Sequence, residues 1–148
     1  MIGTGHKQAI LTLVERKSGY AILAKVPNKT AERISAAIVN SLMPIASKVK
    51  TITYDNGKEF AYHARVDNAL KSTAYFADPF SSWQRGSNEN FNGLLRQYVP
   101  KKRLLSTVTD EELIMIQNRL NHRPRKRLGF KTPHQVFHQS LKRVALRT

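Results

Sequence analysis

Cysteine is missing from these 148 residues, which excludes disulfides, zinc ribbons and thiol catalysis together and fits a reducing compartment. Acid is also scarce. Ten Asp and Glu stand against 25 Lys and Arg, a net charge of +15. No apolar run approaches the roughly 18 residues of a membrane span. Ala9 to Val14 is too short, and Glu15-Arg16-Lys17 stops it, so no signal peptide and no membrane partner are expected. Internal repeats and low-complexity linkers are lacking too. What is there, 41% hydrophobic residues in one domain's length, suffices for a real core.

The excess charge is uneven. Residues 1–95 hold 12 Lys/Arg and 7 Asp/Glu, whereas residues 96–148 hold 13 and 3. A basic half beside a nearly balanced half points to a polyanion, with counterion release driving binding. Charge alone leaves DNA binding level with a basic protein of ribosomal type.

Periodicity supplies the elements. β-branched runs at 8–14 and 20–26, joined by Lys17-Ser18-Gly19, predict a hairpin. Thr30 is placed to N-cap a helix with Ile34, Ala37, Ile38, Ser41 and Leu42 on one stripe, ending before Pro44. Further strands are predicted at 48–54 and 73–77, with a helix at about 59–71 between them. A loop from Phe80 to Gly86 feeds a helix over 89–99, and Thr109 to Glu112 is a capping box. Thr132-Pro133 starts a last helix. The order is that of an α/β fold.

The chemistry concentrates between Asp55 and Glu89, a carboxylate at a strand end and one at a helix start, separated by 33 residues. Such a pair can converge on a hard divalent cation, as phosphoryl transfer requires. The bland alternatives are an Asx turn at Asp55-Asn56-Gly57 and an ordinary N-terminal glutamate at 89. Glu59 competes with them and reads as an outer partner. Glu89, Asn92 and Arg96 project together at i, i+3 and i+7. Trp83 beside Arg85 reads as core packing, or as a rim aromatic for a splayed base. The densest basic cluster is Arg123, Arg125, Lys126 and Arg127, read as phosphate contacts against the alternative of a solvated loop; Lys101, Lys102 and Arg103 are a weaker version. His6, His63, His122, His134 and His138 lack zinc-site spacing. Four of them read as structural or surface groups.

The segments T-Y-D-N-G-K-E-F, F-A-D-P-F-S-S-W-Q-R-G-S-N-E-N-F-N-G-L-L-R-Q-Y and L-N-H-R-P-R-K-R-L-G-F-K-T-P resemble the transposases of the insertion-sequence-thirty family nearly end to end. The resemblance implies an integrase-type catalytic core over 1–148, RNase H-like, with a mixed sheet, flanking helices and a basic C-terminal segment at about 122–148. It implies a DDE enzyme that cleaves transposon ends and transfers strands into target DNA, with Mg2+ as cofactor and Mn2+ able to substitute. Double-stranded DNA and further copies of the chain would be partners, in a bacterial or archaeal cytoplasm. Asp55 and Glu89 match the second and third metal-binding acids. Asn56, Asn92 and Arg96 would assist near the DNA backbone, and His63 would lie close by.

The family's first acid has no counterpart, because no Asp precedes Asp55 and Glu15 falls at a hairpin turn. Met1-Ile2-Gly3 matches the tail of the family's G-D-x-x-I-G word, so the lost Asp is expected just upstream and the core incomplete at its N-terminus. Four strands are then expected instead of five. The missing first strand is the central one, its neighbours would be left with open edges, and the chain alone is expected to be inactive. The alternative is a non-catalytic DNA-binding remnant.

Overall fold

The computed structural model describes residues 7–79, 81, 86–139 and 144–147. His6, Trp83, Gln84 and Arg85 lie outside them. In chain order the elements are β1 (Ala9–Glu15), β2 (Ala21–Val26), α1 (Ala31–Leu42), β3 (Val49–Tyr54), α2 (His63–Leu70), β4 (Thr73–Phe76), α3 (Gly86–Leu95), α4 (Asp110–Asn121), α5 (Pro133–Gln139) and β5 (Val144–Arg147). No helix among the described residues is long and apolar enough to cross a membrane.

The local signals act as their chemistry requires. Glu15 is 3% exposed and closes the β1–β2 turn, accepting from the Ser18 N–H at 2.7 Å, the Ser18 hydroxyl at 2.6 Å and the Lys17 N–H at 3.0 Å. Thr30 caps α1 through the Arg33 N–H, and Ile34, Ile38 and Leu42 form its buried stripe. Thr109 accepts from the Glu112 N–H at 3.1 Å to start α4. Thr132 and Gln135 bond each other reciprocally at the start of α5. The helix expected over 59–71 is shorter: a 3-10 turn at Lys58–Phe60 precedes α2, and Lys71 ends it in the left-handed region at φ 53°.

The sheet order is β2-β1-β5-β3-β4. β1 pairs antiparallel with β2 and with β5, while β3 pairs parallel with β5 and β4. The four strands read from the sequence are all present. The central position is filled by β5, which comes from the C-terminal segment and had not been expected as a strand. β5 pairs the inner edge of β3 along Val49–Thr53 and that of β1 at Val14 and Glu15, so the C-terminal segment enters the sheet. Its apolar residue Leu146, 2% exposed, enters the core beside Leu13 and Ile52.

Two cores result. Leu11, Leu13, Ile52, Tyr54 and Leu146 pack on one face against α1, α2 and Phe137 of α5. Ile10, Val14, Ala21 and Leu23 pack on the other with Phe91 and Leu95 of α3 and Leu113, Ile116 and Leu120 of α4. Each buried Leu or Ile contributes ~1.5–3 kcal/mol by leaving water. α4 also closes the outer edge of β2. The Asn121 amide accepts from the Ala21 N–H at 2.9 Å and donates to its carbonyl at 2.8 Å, and Gln117 accepts from the Leu23 N–H. Side-chain amides thus stand where another strand would pair.

Candidate active site and nucleic-acid interface

Asp55 is carried on the end of β3. Strand alternation buries Ile52 and Tyr54 in the first core, so Thr53 and Asp55 turn to the face covered by α3 and α4. Thr12 shares that face with Ile10 and Val14. Register fixes the level. Arg147 pairs with both Val14 and Thr53, and β1 runs opposite to β3, so Asp55 and Thr12 fall in one row. They stand two strand spacings apart, ~10 Å at about 4.8 Å each.

The Thr12 hydroxyl donates to Asn88 Oδ1 at 3.1 Å, both residues being buried. Asn88 lies in the first turn of α3, so this bond sets the helix start over the Asp55 row. Glu89 follows directly and is exposed. α3 begins at Gly86 and ends at Leu95, earlier at both ends than the sequence pattern suggested. Phe91 and Leu95 anchor it in the second core. Asp55 and the first turn of α3 thus lie at the same end of that sheet face. Among the described residues no group of three His, Cys, Asp or Glu forms a metal-binding cluster.

Asp55 Oδ1 accepts from the Gly57 N–H at 3.0 Å, so the Asx turn is present as well. Glu59 stands beside it: Asp55 Oδ1 lies 2.9 Å from where a Cβ on residue 57 would stand, and the Glu59 carboxylate is nearer still. A side chain at 57 would displace the Glu59 carboxylate. Glu59 is bound by Lys29 at 3.0 Å. Burial tends to raise its pKa, but its own backbone N–H and Lys29 outweigh this and hold it below the usual carboxylate value. Asn56 is tied down, its Nδ2 donating to the Ala77 carbonyl at 2.9 Å.

The basic candidates divide. Lys101, Lys102, Arg123 and Lys126 are exposed. Arg103 is held by Glu112 through two bonds of 2.7 Å, a bidentate pair at the capping-box helix. Arg125 is half-buried and donates to the Leu120 carbonyl; Arg127 donates to the Lys17 carbonyl at 2.9 Å. Asn92 and Arg96 are half-buried. Burial depresses the Arg96 pKa, and Asn92 Oδ1 finds no hydrogen-bond partner among the described residues.

His63 packs edge-on against Phe76 at 4.9 Å and beside Tyr54. His122, His134 and His138 stack in succession at 4.5 and 4.3 Å, next to Tyr20. Sequence reasoning missed Thr12, Asn121 and Gln117. Thr12 carried a signal in hindsight, a hydroxyl among the apolar residues of β1. Asn121 closes α4 at the border of the basic segment.

No protein-family model matches the chain. Curated relatives do. The chain is 45% identical over 139 residues to the transposase for insertion sequence element IS4351 of Bacteroides fragilis, covering 94% of the chain and 43% of that protein. It is 45% identical over 140 residues to the transposase for IS1086 of Cupriavidus metallidurans, covering 94% and 41%. Against transposase InsI for IS30A of Escherichia coli K12 the identity is 41% over 133 residues, covering 89% and 35%. The chain thus spans less than half the length of these relatives. Among solved structures, the catalytic core domain of BIV integrase superposes with a TM-score of 0.65 at 22% identity, covering 94% of this chain and 90% of that one. A simian T-cell lymphotropic virus intasome bound to a PP2A regulatory subunit gives 0.68 at 17%, covering 91% and 54%. The fold is that of the retroviral integrase catalytic cores, RNase H-like.

Proposed function

We infer that this chain, which belongs to the insertion-sequence-thirty family of transposases, forms the catalytic core for DNA transposition. The observation that supports the reading is that Asp55 and Thr12 fall in one row of one sheet face, while the Thr12–Asn88 bond holds the start of α3, which carries Glu89, at that level.

Asp55 and Glu89 supply hard oxygen donors and would hold a divalent cation of the magnesium type, for which manganese would substitute. When bound, that cation supplies charge stabilisation to a reacting phosphate. In the first reaction a water oxygen bonds to phosphorus at the transposon end and the P–O3′ bond breaks, leaving a 3′ hydroxyl and a 5′ phosphate. In the second, that 3′ oxygen bonds to a target phosphorus and displaces another 3′ oxygen. No covalent enzyme intermediate is required. Lys101, Lys102, Arg123 and Lys126 would meet the DNA backbone, and paired ends call for more than one copy of the chain.

A second reading, DNA binding without catalysis, is favoured by the composition of the central strand. β5 reads Val-Ala-Leu-Arg and brings no carboxylate to the middle of the sheet. Nicking of DNA carrying the element's ends, in magnesium or manganese, separates the two. The catalytic reading expects nicks from the parent chain, against the inactivity expected from its missing first acid, and none from Glu89→Gln. Binding without nicking in both selects the second reading, and a chain that neither binds nor nicks defeats both.

A further inference from the structure

We propose that a cleft of about 60 Å3 between α3 and the basic loop after α4 holds one phosphate group of a DNA strand. The proposal deepens the transposase reading and rests on it. The volume equals about two waters' share of liquid, room for a single small anion.

Val14 and Phe91 supply the apolar wall, while Ser87, Asn90, Arg125 and Arg127 supply the polar one. Each arginine is fixed by a hydrogen bond to a backbone carbonyl, Leu120 at 3.1 Å for Arg125 and Lys17 at 2.9 Å for Arg127. Both guanidiniums are thereby held in place with further N–H groups left over. Neither forms an ion pair with a carboxylate among the described residues. The nearby Glu15 is spent on its own turn. Burial, then Arg123 and Arg127, make the charge on Arg125 costly. An anion between the guanidiniums would relieve that cost, and their planar donors suit phosphate oxygens.

The turn is shaped for this. Gly19 has φ +72°, and a Cβ there would strike the Arg127 guanidinium. Location gives the site its role. Val14 is two residues along β1 from Thr12, ~7 Å at about 3.4 Å per residue, and Ser87 and Asn90 lie on the flank of α3 turned away from Glu89. A strand that reaches Glu89 across the start of α3 would place another of its phosphates in the cleft, and so fix the register of the strand.

The test is the affinity of the whole chain for a duplex oligonucleotide carrying the element's end, measured by fluorescence anisotropy over a salt series. Three variants are compared with the parent: Asn90→Glu, which puts an anion at an exposed position of the cleft; Arg127→Gln; and Lys71→Gln, behind the opposite face of the sheet. Both cleft variants are expected to bind about tenfold more weakly and to lose about 0.9 from the slope of log K against log salt, one phosphate contact. Lys71→Gln is expected to change neither. Should Arg127→Gln unfold, Asn90→Glu decides. Unchanged affinity and slope in folded cleft variants, with DNA bound by the parent, would overturn the cleft and leave the transposase reading standing. No DNA binding by the parent would defeat both. Inorganic phosphate provides a second arm: shifts of the Ser87, Asn90 and Gly19 amides without any effect of the variants on DNA would mean a free-anion site, contrary to the proposal.

Discussion

Thr12 donates its hydroxyl to the side-chain oxygen of Asn88 across 3.1 Å of buried space, linking β1 to the first turn of the helix that carries Glu89. Thr12→Val keeps the shape and removes the donor, leaving Asn88 Oδ1 unsatisfied at a cost of about 1–3 kcal/mol. Urea denaturation should show that loss. If stability and nicking both match the parent, the bond does not position α3.

Tyr54 is fully buried, yet its hydroxyl has no hydrogen-bond partner among the described residues, and burial, followed by Asp67, pushes its pKa well above the ordinary tyrosine value. Its ring earns the position by packing on Phe60 and Phe76. Tyr54→Phe is therefore expected to leave stability unchanged or raise it by up to about 1 kcal/mol. A clear loss in the denaturation midpoint would reveal a partner for the hydroxyl.

Leu146 stands in the central strand, and Leu146→Ala should cost about 2–5 kcal/mol, as for a core leucine. Were β5 a dispensable tail, the cost would be near zero. Thermal melting of the two proteins distinguishes these outcomes.

α5 docks by stacking Phe137 on Tyr20 at 4.3 Å, with His138 alongside. Burial, His134 and Lys48 lower the His138 pKa from its ordinary value. The unfolded chain therefore takes up this proton first. The contribution is fully present above the unfolded value, about 6.5, and is lost as pH falls toward the depressed folded value. The groups facing it are His134 on α5, Lys48 before β3 and Tyr20 on the hairpin, with His122 one ring further along the stack. The melting temperature should fall between pH 7 and 6, and fall less in His138→Gln. Identical pH profiles would show that His138 plays no part.

Much of this was legible where one local rule acts alone. Thr30 and Thr109 cap because a hydroxyl before an apolar stripe has free helix N–H groups to meet, and the hairpin follows from two β-branched runs around Gly19. Asp55 and Glu89 stood out through their surrounding words. β5 was not legible: four residues in a basic segment form a strand only because a slot between β1 and β3 lacks a partner, a property of distant residues. The partners of Arg103 and Arg127 were hidden for the same reason. Charge shows in sequence, but the Glu112 carboxylate or Lys17 carbonyl that engages it appears only on folding.

The central claim is that Asp55 and Glu89 act on one ion, and paramagnetic broadening by Mn2+ tests it most directly. Amide resonances around Asp55 and along Ser87 to Asn90 should broaden together at one manganese concentration, and Glu89→Gln should abolish both effects. Broadening confined to Asp55 and Glu59, or unchanged in Glu89→Gln, would contradict the account.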